Sequence, residues 1–280
     1  VTAPLQGPAG SPACPPAWLA LREPADADAR STALAGELRD LRAPLTVRDL
    51  GCGTGAMARW LAPRLPATQH WILHDRDPGL LGHAVAGLPV GVTGETRCGD
   101  VARLDAAALA GTSLVTASAL LDLLTAAEVE QLARACAGAG CPALLTLTVT
   151  GQVRLDPPDP LDRDLAAAFD DHQRRRTGGR RLLGPDAVPV ANAAFARHGA
   201  RVRSAPTPWR LGPDRAALLR EWLAGWLDAA CAQRPELRGP AAGYRERRHR
   251  QLAEGRLTVS VGHADLLALP GAAGPAGERT

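Results

Sequence analysis

Between residues 45 and 150, short apolar runs alternate with segments whose apolar residues recur at helical spacing. The strand-like runs fall at 45–50, 70–74, 94–98, 113–117 and 142–149. The helix-like segments fall between them, at 56–65, 78–86, 103–109 and 125–138. This alternation predicts a parallel sheet with helices on both faces. Leu144-Leu145-Thr146-Leu147-Thr148-Val149 is continuously β-prone, as a central strand covered on both sides must be. Thr125-Ala126-Ala127-Glu128 is a capping-box pattern that opens the 125–138 helix.

Outside that block the signals change. Residues 1–15 and 271–280 are rich in Gly, Ala and Pro and read as loose tails. Pro16 to Leu21 reads as a short helix, and Ala25 to Leu41 as a longer one with Leu34, Leu38 and Leu41 on one face. Residues 161–176 and 185–198 look helical and 200–204 strand-like. A helical block at 213–234 and 240–255 precedes a last strand at 257–269. The expected division is therefore a core at 45–150, a substrate or lid region at 151–212, a helical insertion at 213–256 and a closing strand, all in one domain from 16 to 270. That insertion is longer than an ordinary connecting loop.

The turn after the first strand carries the clearest chemistry. Asp49-Leu50-Gly51-Cys52-Gly53-Thr54-Gly55 places three glycines at alternate positions between a strand and a helix start. Glycine accepts positive φ and lets a ligand approach without meeting a Cβ. A helix start offers free N–H groups to a polar ligand. The spacing G-x-G-x-G differs from the G-x-G-x-x-G of dinucleotide sites. Asp75 ends the second strand-like run, about where an acidic residue meets ribose hydroxyls in Rossmann-like folds. A carboxylate can accept from two vicinal hydroxyls at once.

Composition narrows the classes. Hydrophobic residues at 46% mark a globular chain, and a net charge of +3 is too mild to argue for nucleic acid by itself. Every one of the 32 basic residues is arginine, so lysine Schiff-base chemistry and a Walker-type phosphate loop are excluded. The six cysteines form no C-x-x-C pair, which speaks against zinc, and no metal is expected. Cys52 reads as a small packing residue within the turn. A basic, apolar leader and a membrane-length apolar run are both missing from the pattern, so a cytoplasmic location is expected.

The segment Asp49–Gly55 resembles the first motif of class I S-adenosylmethionine-dependent methyltransferases. Three further elements of that family follow in order. They are the strand ending at Asp75-Arg76-Asp77-Pro78, the stretch Arg97-Cys98-Gly99-Asp100-Val101, and the strand Leu114–Leu121. The resemblance covers roughly residues 45 to 150. It implies a Rossmann-like, seven-stranded, mostly parallel α/β sheet with a helical N-terminal cap and a helical C-terminal insertion. It also implies S-adenosyl-L-methionine as cofactor and methyl transfer to a small molecule. Asp49, Gly51, Cys52, Gly53, Thr54 and Gly55 would shape the methionine pocket. Asp75 and Arg76 would lie at the ribose, Asp100 and Val101 at the adenine, and Ser118 near the sulfonium. Arg22 or Trp18, on the N-terminal cap, would approach the methionine end, with surface Arg and core Trp as the plainer roles.

Methyl transfer needs alignment more than a strong base, so the acceptor side is harder to read. Asp122, after the fourth strand, faces the acceptor or serves as a helix-start carboxylate. His172, on the 161–176 helix, is a base, a substrate ligand or an exposed helical His. His198, His263 and Tyr244 are weaker candidates. Gln173–Arg181 is a basic loop with two glycines, either a lid in which Arg180 captures an anionic acceptor or a solvated charge run. Asp156-Pro157-Pro158-Asp159 lacks the aromatic ring of base-methylating signatures and reads as a turn. The alternatives are an RNA methyltransferase, disfavoured by an aromatic content of 3%, and a non-catalytic scaffold or partner subunit.

Overall fold

A computed structural model describes residues 14–100 and 105–271. In chain order the main elements are α1 (Pro16–Ala29), α2 (Thr32–Gly36), β1 (Leu45–Leu50), α3 (Ala56–Leu61), β2 (Gln69–Asp75), α4 (Pro78–Ala86), β3 (Thr93–Cys98), β4 (Leu114–Ser118), α5 (Ala126–Ala139) and β5 (Ala143–Asp156). The second half adds α6 (Asp162–Gln173), β6 (Arg176–Thr177), β7 (Arg180–Arg181), α7 (Ala187–Arg197), β8 (Arg201–Pro206), β9 (Trp209–Leu211), α8 (Ala216–Gln233), α9 (Arg238–Ala253) and β10 (Thr258–Leu269).

The principal sheet runs β3-β2-β1-β4-β5-β10-β8, with β9 paired to the outer part of β10. Strands β1 to β5 are parallel, while β10 lies antiparallel to β5, β8 and β9. The expected seven strands are present, and β9 is an eighth that the pattern did not show. The order reverses between β1 and β4, and open α/β sheets bind ligands at such a switch point, beyond the carboxyl ends of the strands.

Strand side chains alternate between faces, and the core divides accordingly. Leu114 of β4, Leu144 of β5 and Leu267 of β10 join α2, α3 and α4 on one side. Their neighbours Val115, Leu145 and Leu266 join α5 and α7 on the other. A third cluster has a different origin: α6, α8 and α9 pack on β9 and the far ends of β5 and β10, around Trp222, Trp226 and Tyr244.

Local signals explain most boundaries. In the α5 capping box, Thr125 Oγ1 accepts from Glu128 N at 3.3 Å and Glu128 Oε2 accepts from Thr125 N at 2.8 Å. Asp77 caps α4 by accepting from Gly79 N at 2.8 Å.

Three expectations are corrected. The helix read over 25–41 is broken: α1 ends at Ala29, Ser31 caps α2 by accepting from Leu34 N, and turns follow Gly36. The break occurs because Ser31 N donates to the buried Asp265 carboxylate at 2.8 Å, which pins the chain to β10. Strand β5 extends to Asp156, well beyond 149, because β10 pairs along its whole length through two register shifts. The helix expected at 103–109 lies partly outside the described residues, and 106–111 form turns.

Candidate functional site

Two cavities open near the carboxyl ends of β1, β2 and β4 and beside the middle of β5. The first, about 370 Å³, is walled by the β1–α3 turn, the end of β2 and helix α1. Gly51, Gly53 and Gly55 all hold positive φ, at 65°, 54° and 83°. A Cβ on Gly55 would stand 3.1 Å from the Ala84 backbone, so this glycine lets α4 pack against the turn. A Cβ on Gly51 would meet Leu120 Cδ1 at 3.1 Å, and one on Gly53 would meet Leu19 Cδ1 at 3.2 Å.

Asp49 is 1% exposed; its Oδ1 accepts from Thr116 Oγ1 at 2.7 Å while its Oδ2 is buried without a partner. Burial, only partly offset by Thr116 and Arg30, pushes its carboxyl up to about 7. Asp75 accepts from Gly53 N at 2.9 Å and from Asp77 N at 3.0 Å, one bond per oxygen, so lone pairs remain on both. Arg76, Asp100, Thr54 and Ser118 line the same cavity. Cys52 is buried and its thiol is pushed well up by desolvation, consistent with packing. Val101 lies outside the described residues.

Arg30 is the feature that the sequence did not disclose. It is 3% exposed and lines the first cavity. Its Nη2 donates to Ser118 Oγ at 3.0 Å, while Nε and Nη1 are buried without partners. Burial lowers its pKa, opposed by Asp26, Asp265 and Asp49. An arginine followed by a helix cap resembles a surface residue in the sequence; only the bend at Ser31 turns it inward.

The second cavity, about 120 Å³, lies beyond α1 between β5, β10 and α6. Trp18, Trp209, Trp222 and Phe169 supply aromatic walls. Asp122, His172, Gln173, Arg175 and His263 supply polar ones. Arg22, Ala119 and Leu123 face both cavities. Asp122 and His172, far apart in sequence, thus meet one cavity. Arg180 does not line it: it lies at the wall of the first cavity, ion-paired with Glu128.

Burial raises the Asp122 carboxyl to about 6 against the pull of Arg22 and Arg175, and its Oδ1 has no partner. The residue keeps some exposure, whereas that oxygen has none. Desolvation, then Arg175, lowers His172 to about 4; desolvation, then Arg22, lowers His263 to about 3. Both rings are therefore neutral at pH 7. Arg22 is held by Asp26 at 3.0 Å and stacks 4.9 Å above Trp209, whose Nε1 also donates to Asp26.

Strained backbone sits at the same place. Ala119 and Leu147 hold φ of 51° and 56°, a region that non-glycine residues seldom occupy. Leu147 is kept there by Asp265, whose Oδ1 accepts from Leu147 N at 2.8 Å and from Thr207 Oγ1 at 2.9 Å. Such strain persists only where the surroundings over-determine it. The clue in the sequence is Asp265 itself, a carboxylate inside an apolar strand run, which must be fully hydrogen-bonded.

The Gln173–Arg181 segment folds as a small β6–β7 hairpin, with Gly178 and Gly179 at φ 57° and 78°. Arg174 is paired with Asp186 at 2.8 Å. His198 pairs with Glu130, and Tyr244 donates to Asp162 at 2.7 Å within the third cluster; neither lines the two cavities. Among the described residues no group of three His, Cys, Asp or Glu is placed to hold a metal, and no helix is long and apolar enough to cross a membrane.

A family model described as a methyltransferase domain matches residues 47–140. The chain is similar in structure to the YcgJ protein of Bacillus subtilis, at 15% identity and a TM-score of 0.49, over 85% of this chain and 97% of that one. It is also similar to the mycolic acid cyclopropane synthase CmaA1, solved with SAH and CTAB, at 16% identity and a TM-score of 0.46, over 83% and 81% of the two chains. The cyclopropane synthase MmaA2 of Mycobacterium tuberculosis gives 14% identity and a TM-score of 0.44, over 84% and 81%. No curated protein matches this sequence. Residues 47–140 are thus similar to a methyltransferase domain, over the stretch that carries the β1–α3 glycine turn and Asp75.

Proposed function

We propose that the protein transfers a methyl group from S-adenosylmethionine to a small-molecule acceptor held in the second cavity. The observation that supports this reading is the shared wall: Arg22, Ala119 and Leu123 line both cavities, so the two adjoin.

The first cavity suits the donor. Its glycines leave a cradle that side chains on Gly51 and Gly53 would crowd. The amino-acid end of the donor carries an ammonium and a carboxylate. Asp49 Oδ2 is a buried acceptor without a donor, and Arg30 Nε and Nη1 are buried donors without an acceptor. One zwitterion satisfies both, and leaving such groups unsatisfied is costly. The free lone pairs of Asp75 match ribose hydroxyls, Asp100 is assigned to the adenine, and Ser118, held by Arg30, to the sulfonium end.

Bound there, the sulfonium supplies an already activated methyl group. The chain's share of the work is to align the acceptor and exclude water. Asp122 is the better proton acceptor of the two candidates. A carboxylate near 6 is mostly ionised at pH 7, whereas an imidazole near 4 is a weaker base. His172 then serves as a neutral hydrogen-bonding group. Arg180 braces the donor cavity through Glu128.

The pairing of surface arginines favours a small acceptor over RNA. Arg174, Arg234, Arg245 and Arg247 are each spent on a carboxylate, at 2.5 to 2.8 Å. Calorimetric titration tests the reading. Micromolar binding of S-adenosylmethionine and S-adenosylhomocysteine, with none of NAD, is expected; no binding of the first two defeats it.

A further inference from the structure

Two residues of the second cavity carry acceptor oxygens without a partner among the described residues, Asp122 Oδ1 and Gln173 Oε1, and the neutral ring of His263 completes the polar lining. His263 is 5% exposed and tilted against Trp209, with ring centroids 5.2 Å apart, so its ring is fixed. The carboxylate and amide oxygens are acceptors only. A molecule that fits must therefore bring hydrogen-bond donors. The walls around these atoms are flat and aromatic, which suits a ring more than a chain. Two guanidinium groups, Arg22 and Arg175, complete the lining.

The arginines decide between donor-bearing rings. A cationic ring is repelled by Arg175, which donates to the His172 carbonyl and has no carboxylate at ion-pair distance among the described residues, whereas Arg22 is already held by Asp26. A neutral aromatic amine is a much weaker acid than a phenol, so less negative charge develops on it for a guanidinium to stabilise. A carboxylate-bearing ring offers acceptors where donors are needed. A hydroxyl is suited at each stage: it donates to the orphaned oxygens, and negative charge that develops as its proton leaves is stabilised by the arginines.

We propose that the methyl acceptor is a small phenol, an uncharged aromatic ring bearing hydroxyl groups, recognised by Asp122, Gln173 and His263. This rests on the two-cavity reading above. The O–H bond breaks and its proton passes to the Asp122 carboxylate. The phenolic oxygen forms the new bond to the methyl carbon, and the carbon–sulfur bond breaks with its electron pair left on sulfur. S-Adenosylhomocysteine leaves, and the proton is returned to water, so charge and atoms balance.

Binding probes test this without turnover. para-Nitrophenol, nitrobenzene and benzylamine share a ring of one size but differ in donors and charge. Each is titrated at about pH 6, where para-nitrophenol keeps its proton and can donate, into protein loaded with S-adenosylhomocysteine. para-Nitrophenol is expected to bind about tenfold more tightly than the other two, the usual effect of filling a buried orphan acceptor. Gln173→Leu is expected to weaken para-nitrophenol about fivefold and leave nitrobenzene unchanged, which also reports that the variant is folded. Asp122→Asn provides a second variant with the same expected selectivity loss. Equal or tighter binding of nitrobenzene or benzylamine, or binding of none of the three, overturns the proposal. Loading with S-adenosylhomocysteine is measured separately in the same preparation. If loading succeeds and the phenol preference is missing, the acceptor class is wrong and the methyltransferase reading stands; if loading fails, that reading falls.

Discussion

The two cavities share a wall but are built differently. The first cavity, proposed for the donor, takes most of its groups from one stretch, residues 49 to 124, and its geometry is set by backbone: positive-φ glycines and turn N–H groups. The second cavity, proposed for the acceptor, gathers side chains from α1, β5, α6, β9, α8 and β10, nearly all outside the family-matched residues 47–140. A site made by one turn tolerates few sequences. A site assembled from six elements only has to keep its side chains in place, and loops and helices can vary around it. The family match and the aromatic lining accordingly fall in different parts of the chain.

The largest separation of the two cavities is expected from Asp122→Asn. The amide keeps the shape and loses the base, so kcat should fall about 100-fold or more. Donor affinity should be unchanged, because Asp122 lines only the acceptor cavity. A fall in kcat with an equal fall in donor affinity, measured by calorimetry, would break the comparison.

Asp75→Ala acts on the other side. It removes a carboxylate that holds Gly53 N and Asp77 N and is assigned to the ribose. Hydrogen bonds to a charged group are each worth roughly 1.5–3 kcal/mol, so donor affinity should drop about 30-fold. Binding of para-nitrophenol should change little.

That asymmetry sets what the sequence disclosed. The parallel half was legible because its signals are local: Thr125 with Glu128 opens α5, Asp77 caps α4, and the glycines of the β1–α3 turn stand in register. The paired antiparallel strands and the helical insertion were legible as elements, yet their contacts were not. His263, read as a weak candidate, lines the second cavity from β10, with its ring against Trp209. Arg30 is turned inward by a bend at Ser31, which depends on Asp265 more than two hundred residues later. Such pairings depend on tertiary structure and leave no periodic trace.

A smaller effect distinguishes function from stability within the donor cavity. Arg30 is a buried cation with two unpartnered nitrogens, and replacing buried charges with apolar groups of similar volume is often neutral or stabilising. Arg30→Met should therefore leave Tm unchanged or raised, while donor affinity falls about tenfold because its carboxylate partner is lost. A variant whose Tm drops sharply would show that Arg30 serves the fold and not the ligand.

The smallest expected effect is the pH dependence of the acceptor cavity, and its sign is informative. Desolvation raises Asp122 to about 6, so the base is mostly ionised at pH 7 and mostly protonated near pH 5. At saturating donor, kcat/KM should fall about fourfold between pH 7 and about pH 5.5. The linked stability runs the other way. A carboxyl whose folded pKa lies above its unfolded value contributes stability that is complete below the unfolded pKa, near 4, and is lost as pH rises through about 6. Rate and the Asp122 share of stability should therefore cross between pH 4 and 7, one gained as the other is lost. Asp49 and Asp170, raised to about 7 and about 6, add to the same stability slope, so Asp122→Asn should make it shallower without abolishing it. His172 and His263, held at about 4 and about 3, act in the opposite direction. Their contribution is present above pH 6.5 and is lost as pH falls through their folded values. Thermal melts of wild type and Asp122→Asn across this range, beside the rate profile, measure both. Parallel rise of rate and of the Asp122-dependent difference in Tm would mean that the carboxyl is not desolvated, and the contrast between the two cavities would lose its electrostatic basis.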